Sequence, residues 1–236
     1  MKFAAIGDIH SNVEALQAVL QDIDSRQVDF IVSTGDLVGY FPYPNEVIDL
    51  LRKRHILSIQ GNYDYAIGNN EAVCGCDYTD DKQLELAGLS MLYTNSVITE
   101  ENRQYLKNLP QFVTLTIDGM RALVVHGSPR QTNEYLLEDS PATAEVAAQL
   151  NENILICGHT HKPYYKTVQG KHMINAGSAG KPKHGNPNAT YVIVTVQDKQ
   201  VQVDIVEVPY DYEKVAQAVE VDELLPNEFA GLLRNG

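Results

Sequence analysis

Apolar residues in the first sixty positions follow two spacings. Positions 2–7 (KFAAIG) and 29–35 (DFIVSTG) are short apolar runs of strand length. Between them Val13, Leu16, Val19, Leu20 and Ile23 recur at the three- and four-residue intervals of one helix face. Pro44 and Asn45 open a second helical stripe through Val47, Ile48 and Leu51, and HILSIQ at 55–60 restores a strand. Strand, helix, strand, helix in this order predicts a largely parallel sheet. From 65 to 110 the strand pattern lapses into polar, mostly helical sequence, with Thr99 placed to cap a helix that begins with Glu100 and Glu101. We expect a helical insertion there, packed beside the functional site and carrying specificity, within one domain spanning 1–236. Strands return at 112–125, folding back at Asp118 and Gly119. A helix is expected at 141–150 and a buried strand at 153–158. A second antiparallel set is expected at 164–177 and 189–208, turning near Gln197 to Lys199, and the tail from Tyr212 reads as helical.

The 236 residues suffice for a sizeable core and carry a formal net charge of −13. That acidity argues against a dedicated nucleic-acid partner, because phosphate backbones are held chiefly by Lys and Arg; simple solubility accounts for it. No charged stretch leads into an apolar signal core, and no apolar run approaches roughly eighteen residues, so a soluble cytoplasmic protein with no membrane association is expected. Cys157, within ILIC, reads as core. Cys74 and Cys76 in CGC are spaced for a metal or a redox pair, but no further cysteines lie nearby. The odd total has no disulfide framework and fits a reducing compartment.

Five short polar clusters close the strand-like runs. They are GDIH with Asp8 and His10, GDLV with Asp36, GNYD with Asn62, VVHG with His126, and GHTH with His159 and His161. Singly they say little: a strand-end Asp is often a cap, and a lone His is usually a surface or core residue. Jointly they offer oxygen and imidazole donors without thiolate, a mixture suited to Mn, Fe, Zn, Co or Ni. At average residue usage roughly 0.03 chance copies of GHxH are expected in a chain this long. The first three clusters fall at the carboxyl ends of expected strands, where open α/β sheets bind their ligands.

The ordered series from Asp8 to His161 resembles the calcineurin-like metallophosphoesterase superfamily. GDLVGYFPYPNEVIDL, HGSPR and NAGSAGKPKHGNP are similar to a branch of small, single-domain bacterial and archaeal members. The resemblance implies an α/β fold, a four-layer α-β-β-α sandwich of two mixed sheets flanked by helices. It implies two divalent ions, manganese first, with Fe, Zn, Ni or Co as alternatives. Asp8, His10 and His161 would hold one ion, Asn62, His126 and His159 the other, and Asp36 would bridge them. The implied reaction is hydrolysis of a phosphodiester or a small phosphomonoester, diesters favoured, by attack of a metal-bridging hydroxide. Asp36, Asn62, Tyr63 and His126 would form the catalytic group. Asn62, a weak neutral ligand, suits a site that exchanges water and product.

One position departs from the pattern: Tyr63 stands where the family carries a histidine that protonates the leaving group. A phenol with pKa about 10 is a weaker acid than an imidazolium near 6.5, so good leaving groups should be favoured. Asp64 either supports a ligand or binds a backbone amide. Asn175, Gly177 and Ser178 are candidates to present N–H groups and a hydroxyl to substrate, with Lys181 or Lys183 adding charge, although an ordinary glycine-rich turn is the alternative. Arg130 is a candidate phosphate contact. His55, His172 and His184 lie outside the clusters, and His184 is the spare acid that follows the same loop. The expected partner is a small phosphoester, and a homo-oligomer stays open. A protein phosphatase shares the metal set. A catalytically weak protein-binding scaffold, as the retromer scaffold subunit is on this fold, is disfavoured by the intact ligands.

Overall fold

The computed structural model describes residues 1–76 and 80–236. In chain order the strands are β1 (Lys2–Ile6), β2 (Phe30–Ser33), β3 (Leu57–Ser58), β4 (Phe112–Ile117), β5 (Met120–Val125), β6 (Ile154–Cys157), β7 (Tyr164–Val168), β8 (Lys171–Asn175), β9 (Ala189–Gln197) and β10 (Gln200–Val208). They form two five-stranded mixed sheets, ordered β10-β9-β1-β2-β3 and β4-β5-β6-β8-β7. The helices are α1 (Val13–Asp24), α2 (Pro44–Lys53), α3 (Asn62–Asn69), α4 (Asp81–Val97), α5 (Glu100–Lys107), α6 (Pro141–Gln149), α7 (Tyr212–Val221) and α8 (Glu228–Asn235).

Strand alternation builds the four layers. Successive side chains of a strand point to opposite faces, so Phe3 and Ala5 of β1 enter the core between the sheets while Ala4 and Ile6 face the helices. In the second sheet Ile154 and Ile156 of β6 meet that same central core, and Leu155 and Cys157 pack with Val146 and Ala147 of α6. Helices α1 to α5, α7 and α8 all contribute to the core on the outer face of the first sheet. At about 1.5–3 kcal/mol for each large apolar side chain buried, these shared strands lock the two sheets together.

The sheets are less parallel than the opening alternation predicts. Among the described residues parallel pairing is confined to β1-β2-β3 and β5-β6-β8. The last two hairpins do not make one antiparallel set: β7-β8 completes the second sheet, and β9-β10 extends the first, with β9 antiparallel to β1. Strand β9 is apolar on both faces, supplying Tyr191 and Ile193 to one core and Val192, Val194 and Val196 to the other. Such a pattern requires a central strand but does not name its neighbour. Hairpin turns at Asp118-Gly119, Gln169-Gly170 and Asp198-Lys199 have positive φ at both central residues, the twist that matches flanking strands. Among the described residues no helix is long and apolar enough to cross a membrane.

Candidate metal centre

The loops leaving β1, β2, β5 and β6, together with the start of α3, converge on one buried cluster. Asp8, His10 and His161 form one group, and Asp36, His126 and His159 form another, with donor atoms in each group within 4.8 Å of one another. Asn62 joins the second group, its Oδ1 2.9 Å from His126 Nε2. None of the seven is more than 6% exposed. Asp36 Oδ2 lies between the groups, 3.7 Å from His10 Nε2 and 3.5 Å from His126 Nε2. Its other oxygen accepts the Tyr63 N–H at 2.9 Å. Asp8 accepts the His159 N–H at 2.9 Å on Oδ2, and its Oδ1 lies 3.3 Å from His161 Nε2.

The backbone is bent sharply to aim these groups. Asp8, His10, Asp36, His159 and His161 all have φ between 49° and 65°, a conformation uncommon for residues other than glycine and concentrated at functional sites. The loops after β1 and β2 stabilise each other, since Ile9 and His10 both donate to the Asp36 carbonyl, at 2.9 and 3.0 Å. Two glycines are required by close approach. A Cβ on Gly61 would collide with the Asp36 carboxylate and backbone, and one on Gly158 would come within 2.5 Å of Asp8 Oδ2.

Each histidine has one ring nitrogen committed to a backbone carbonyl. His10 Nδ1 donates to Val38 at 3.1 Å, His126 Nδ1 to Thr34 at 2.8 Å and His159 Nε2 to Asn133 at 3.1 Å, while His161 Nδ1 donates to Lys181. A neutral imidazole with its proton on the outer nitrogen presents a lone pair inward. Inward nitrogens meet in pairs, His10 Nε2 with His161 Nε2 at 3.2 Å and His126 Nε2 with His159 Nδ1 at 3.1 Å. Facing lone pairs beside two carboxylates repel unless a cation sits among them, and outward hydrogen bonds of this kind are what metal-ligating histidines make. The donor set fits divalent metal ions.

Electrostatics support the same assignment. Burial pushes the pKa of His10 and His161 well below the ordinary value, and burial together with the charge of His126 lowers His159 to about 4. At His126 burial acts in the same direction, but the Asp36 and Asp8 carboxylates outweigh it and raise the group to about 9. Burial raises Asp8; at Asp36 the burial penalty is outweighed chiefly by His126, and the carboxyl is held below its usual value.

The remaining sequence candidates divide between cleft and support. Tyr63 lines the cleft with its ring buried, edge-on to His10 at 5.3 Å and 5.2 Å from the Tyr40 ring. Of the two alternatives for Asp64, the backbone role is the one seen: its carboxylate accepts the N–H groups of Leu37 and Gly61, each at 2.9 Å. Buried beside Asp36, its pKa rises to about 7. Asn175 donates to the Gly158 carbonyl and accepts the Gly177 N–H, and Ser178 Oγ donates to the Asp8 carbonyl. These polar atoms brace the ligand loops, and the three residues are not among those lining the cleft. Lys181 is buried with Nζ 4.1 Å from the Tyr40 ring centroid, whereas Lys183 lines the cleft. Arg130 pairs with Glu134 and Glu145 and lines other grooves. His184 faces Glu207 at 3.8 Å and His172 bonds Tyr165, both outside the cleft lining.

Cys74 and Cys76 are joined as a disulfide, which corrects the expectation of none; Gly75 lets the chain fold back so that the two Cα atoms lie 5.4 Å apart. The pair touches the metal centre. Asn62 Nδ2 donates to the Cys74 carbonyl at 2.9 Å and lies 3.3 Å from Cys76 Sγ. Sequence reasoning also missed Tyr135, whose ring sits 4.3 Å from that of His159, and Asn133, which holds His159 through its carbonyl and Gly75 through its side chain. A backbone acceptor has no residue signature. Tyr135 offered only its place in the loop after His126.

Comparison with known proteins agrees with the fold. The sequence profile described as the calcineurin-like phosphoesterase superfamily domain matches residues 1–199. An uncharacterized protein of Methanocaldococcus jannaschii is 34% identical over 234 residues, covering 92% of this chain and 90% of the relative. The crystal structure of a metallophosphoesterase from Sphaerobacter thermophilus aligns with a TM-score of 0.80 at 29% identity, over 99% of this chain and 98% of that one. That of a hypothetical protein from Pyrococcus horikoshii OT3 shares the fold with a TM-score of 0.86 at 24% identity, over 100% and 98% of the two chains. The chain belongs to the calcineurin-like phosphoesterase superfamily.

Proposed function

We propose that this protein is a dinuclear metal-dependent phosphoesterase that hydrolyses small phosphoesters, diesters in preference to monoesters, with manganese as its metal. The observation that carries the reading is the position of Asp36, one oxygen between two histidine-containing donor groups and the other fixed by the Tyr63 N–H. When bound, two divalent ions supply an acidified water and neutralise the phosphoryl oxygens. The chain's own residues arrange that chemistry. Asp36 is held in one orientation, and Asn62 adds a neutral donor without fixing the product. Lys183 lines the cleft and attracts an anionic ester. Tyr63 brings no imidazole to the leaving oxygen, so the enzyme depends on leaving groups that depart as stable anions.

Assays of purified protein loaded with Mn, against bis(4-nitrophenyl) phosphate and 4-nitrophenyl phosphate, test the reading. We expect the diester to be cleaved faster, activity to be lost to chelator and regained on remetallation, and His126→Ala to be inactive. A metal-replete protein that turns over neither ester would overturn the proposal in favour of a binding scaffold. Dephosphorylation of a phosphopeptide in preference to both would favour a protein phosphatase.

A further inference from the structure

The metal cleft itself encloses only ≈ 10 Å³, space for about one water, so the organic substituents of any ester must lie outside it. A groove of ≈ 540 Å³ adjoins it, and Asn62 lines both. Its walls come from the start of the helical segment, through Tyr65, Glu71 and Val73, and from the opposite sheet's loops, through Gln111, Gln131 and Asn133. Three other grooves, two containing Arg130 and one lined by Asp24, Arg54 and His55, share no lining residue with the cleft, and one of the Arg130 grooves meets the larger groove at Gln111, Gln131 and Thr132.

The groove's chemistry is distinctive for a phosphoester site. Among the described lining residues Glu71 is the one charged side chain, with no Lys or Arg. The cation of the groove that shares Gln111, Gln131 and Thr132, Arg130, is already paired with Glu134 and Glu145, so a second phosphate would meet a wall whose net charge is acidic. Tyr65 is 45% exposed and Val73 70% exposed, so an aromatic and an apolar side chain both reach solvent in the groove. The exposed amides of Gln111 and Gln131 each offer paired donors and acceptors.

We infer that this groove is the specificity subsite for the second substituent of a phosphodiester, and that the substituent is uncharged, planar and hydrogen-bonding, as a nucleoside is. The inference rests on the phosphoesterase reading for the phosphoryl position. Tyr65 supplies a stacking face for the ring, since base–aromatic stacking tolerates any base. Gln111 and Gln131 read the edge of the base, as carboxamides do when they pair with an adenine edge. Glu71 disfavours nucleoside di- and triphosphates, whose extra charge would lie along the groove.

The chain contains no tryptophan, so Tyr65→Trp installs a sole indole in the groove. Adenosine and uridine should quench its emission saturably, adenosine triphosphate should do so more weakly than adenosine, and methyl phosphate should not quench. No saturable quenching by either nucleoside, or stronger binding of the triphosphate by metal-free protein, overturns the proposal, and this readout needs no turnover. In parallel, wild type should prefer 4-nitrophenyl thymidine 5′-phosphate over methyl 4-nitrophenyl phosphate by about tenfold in kcat/KM, and Tyr65→Ala should reduce that ratio about fivefold or more. A wild-type ratio near one, or a ratio unmoved by Tyr65→Ala, also overturns it. If Mn-loaded protein fails on the methyl ester as well, the hydrolase reading falls, while the quenching experiment still decides the groove.

Discussion

The two donor groups of the candidate metal centre are buried alike but supported differently. His10 lies edge-on to the rings of Tyr40 and Tyr63 and stacks with His161, and both histidines are anchored to carbonyls of buried residues, Val38 and Lys181. In the other half His126 is equally well anchored, to Thr34. His159 depends on Asn133, in a partly exposed loop, and Asn62 leans on the Cys74–Cys76 segment. The first group and His126 are thus held by buried backbone, and His159 and Asn62 by loops that also wall the groove.

The largest test removes what the halves share. Asp36→Asn should cost about 10³-fold or more in kcat and lower metal content in both halves; full metal content by elemental analysis would remove Asp36 from its bridging place. Asn62→Ala should break the symmetry instead. We expect about 10- to 100-fold weaker retention of one ion, on the scale of removing a supporting metal contact, with the other retained on dialysis; simultaneous loss of both would mean that the halves do not act separately. Tyr63→His sharpens the account of the His10 side. Cleavage of alkyl esters should rise about tenfold relative to aryl esters, and parallel rate plots against leaving-group pKa would show that residue 63 protonates nothing in either protein. The smallest effect belongs to the loop. Cys74→Ser combined with Cys76→Ser should weaken retention of the Asn62-side ion only a few-fold, by analogy with the low end of outer contacts. After reduction of wild type at pH 8, iodoacetamide should label Cys74 and Cys76 but not Cys157, whose thiol burial pushes up to about 12. Rapid labelling of Cys157 would mean that the region behind β6 opens readily.

Much of the layout was legible in the chain itself. The helical stripe from Val13 to Ile23 and the apolar runs that became β1, β2, β5 and β6 follow from local periodicity. The polar clusters at their ends gave the seven residues that converge, because five such clusters in one order are rare although each by itself has ordinary structural uses. Thr99 was readable as a cap, and its side chain does accept the Asn102 N–H. The support roles of Asn175 and Ser178 were not readable, since the same atoms can face substrate or brace a loop.

Residue type and spacing by themselves determined the strands and helices, the faces they bury, and the set of donor atoms available to metals. Only the tertiary structure decided that β9 lies between β10 and β1, that carbonyls of Val38, Thr34, Asn133 and Lys181 orient the four imidazoles, and that Tyr65, Gln111 and Gln131 share one groove with Asn62. The physical reason is that periodicity reports how much of a side chain is buried but not what covers it. A carbonyl acceptor belongs to every residue alike, so its selection depends on where the folded backbone brings it.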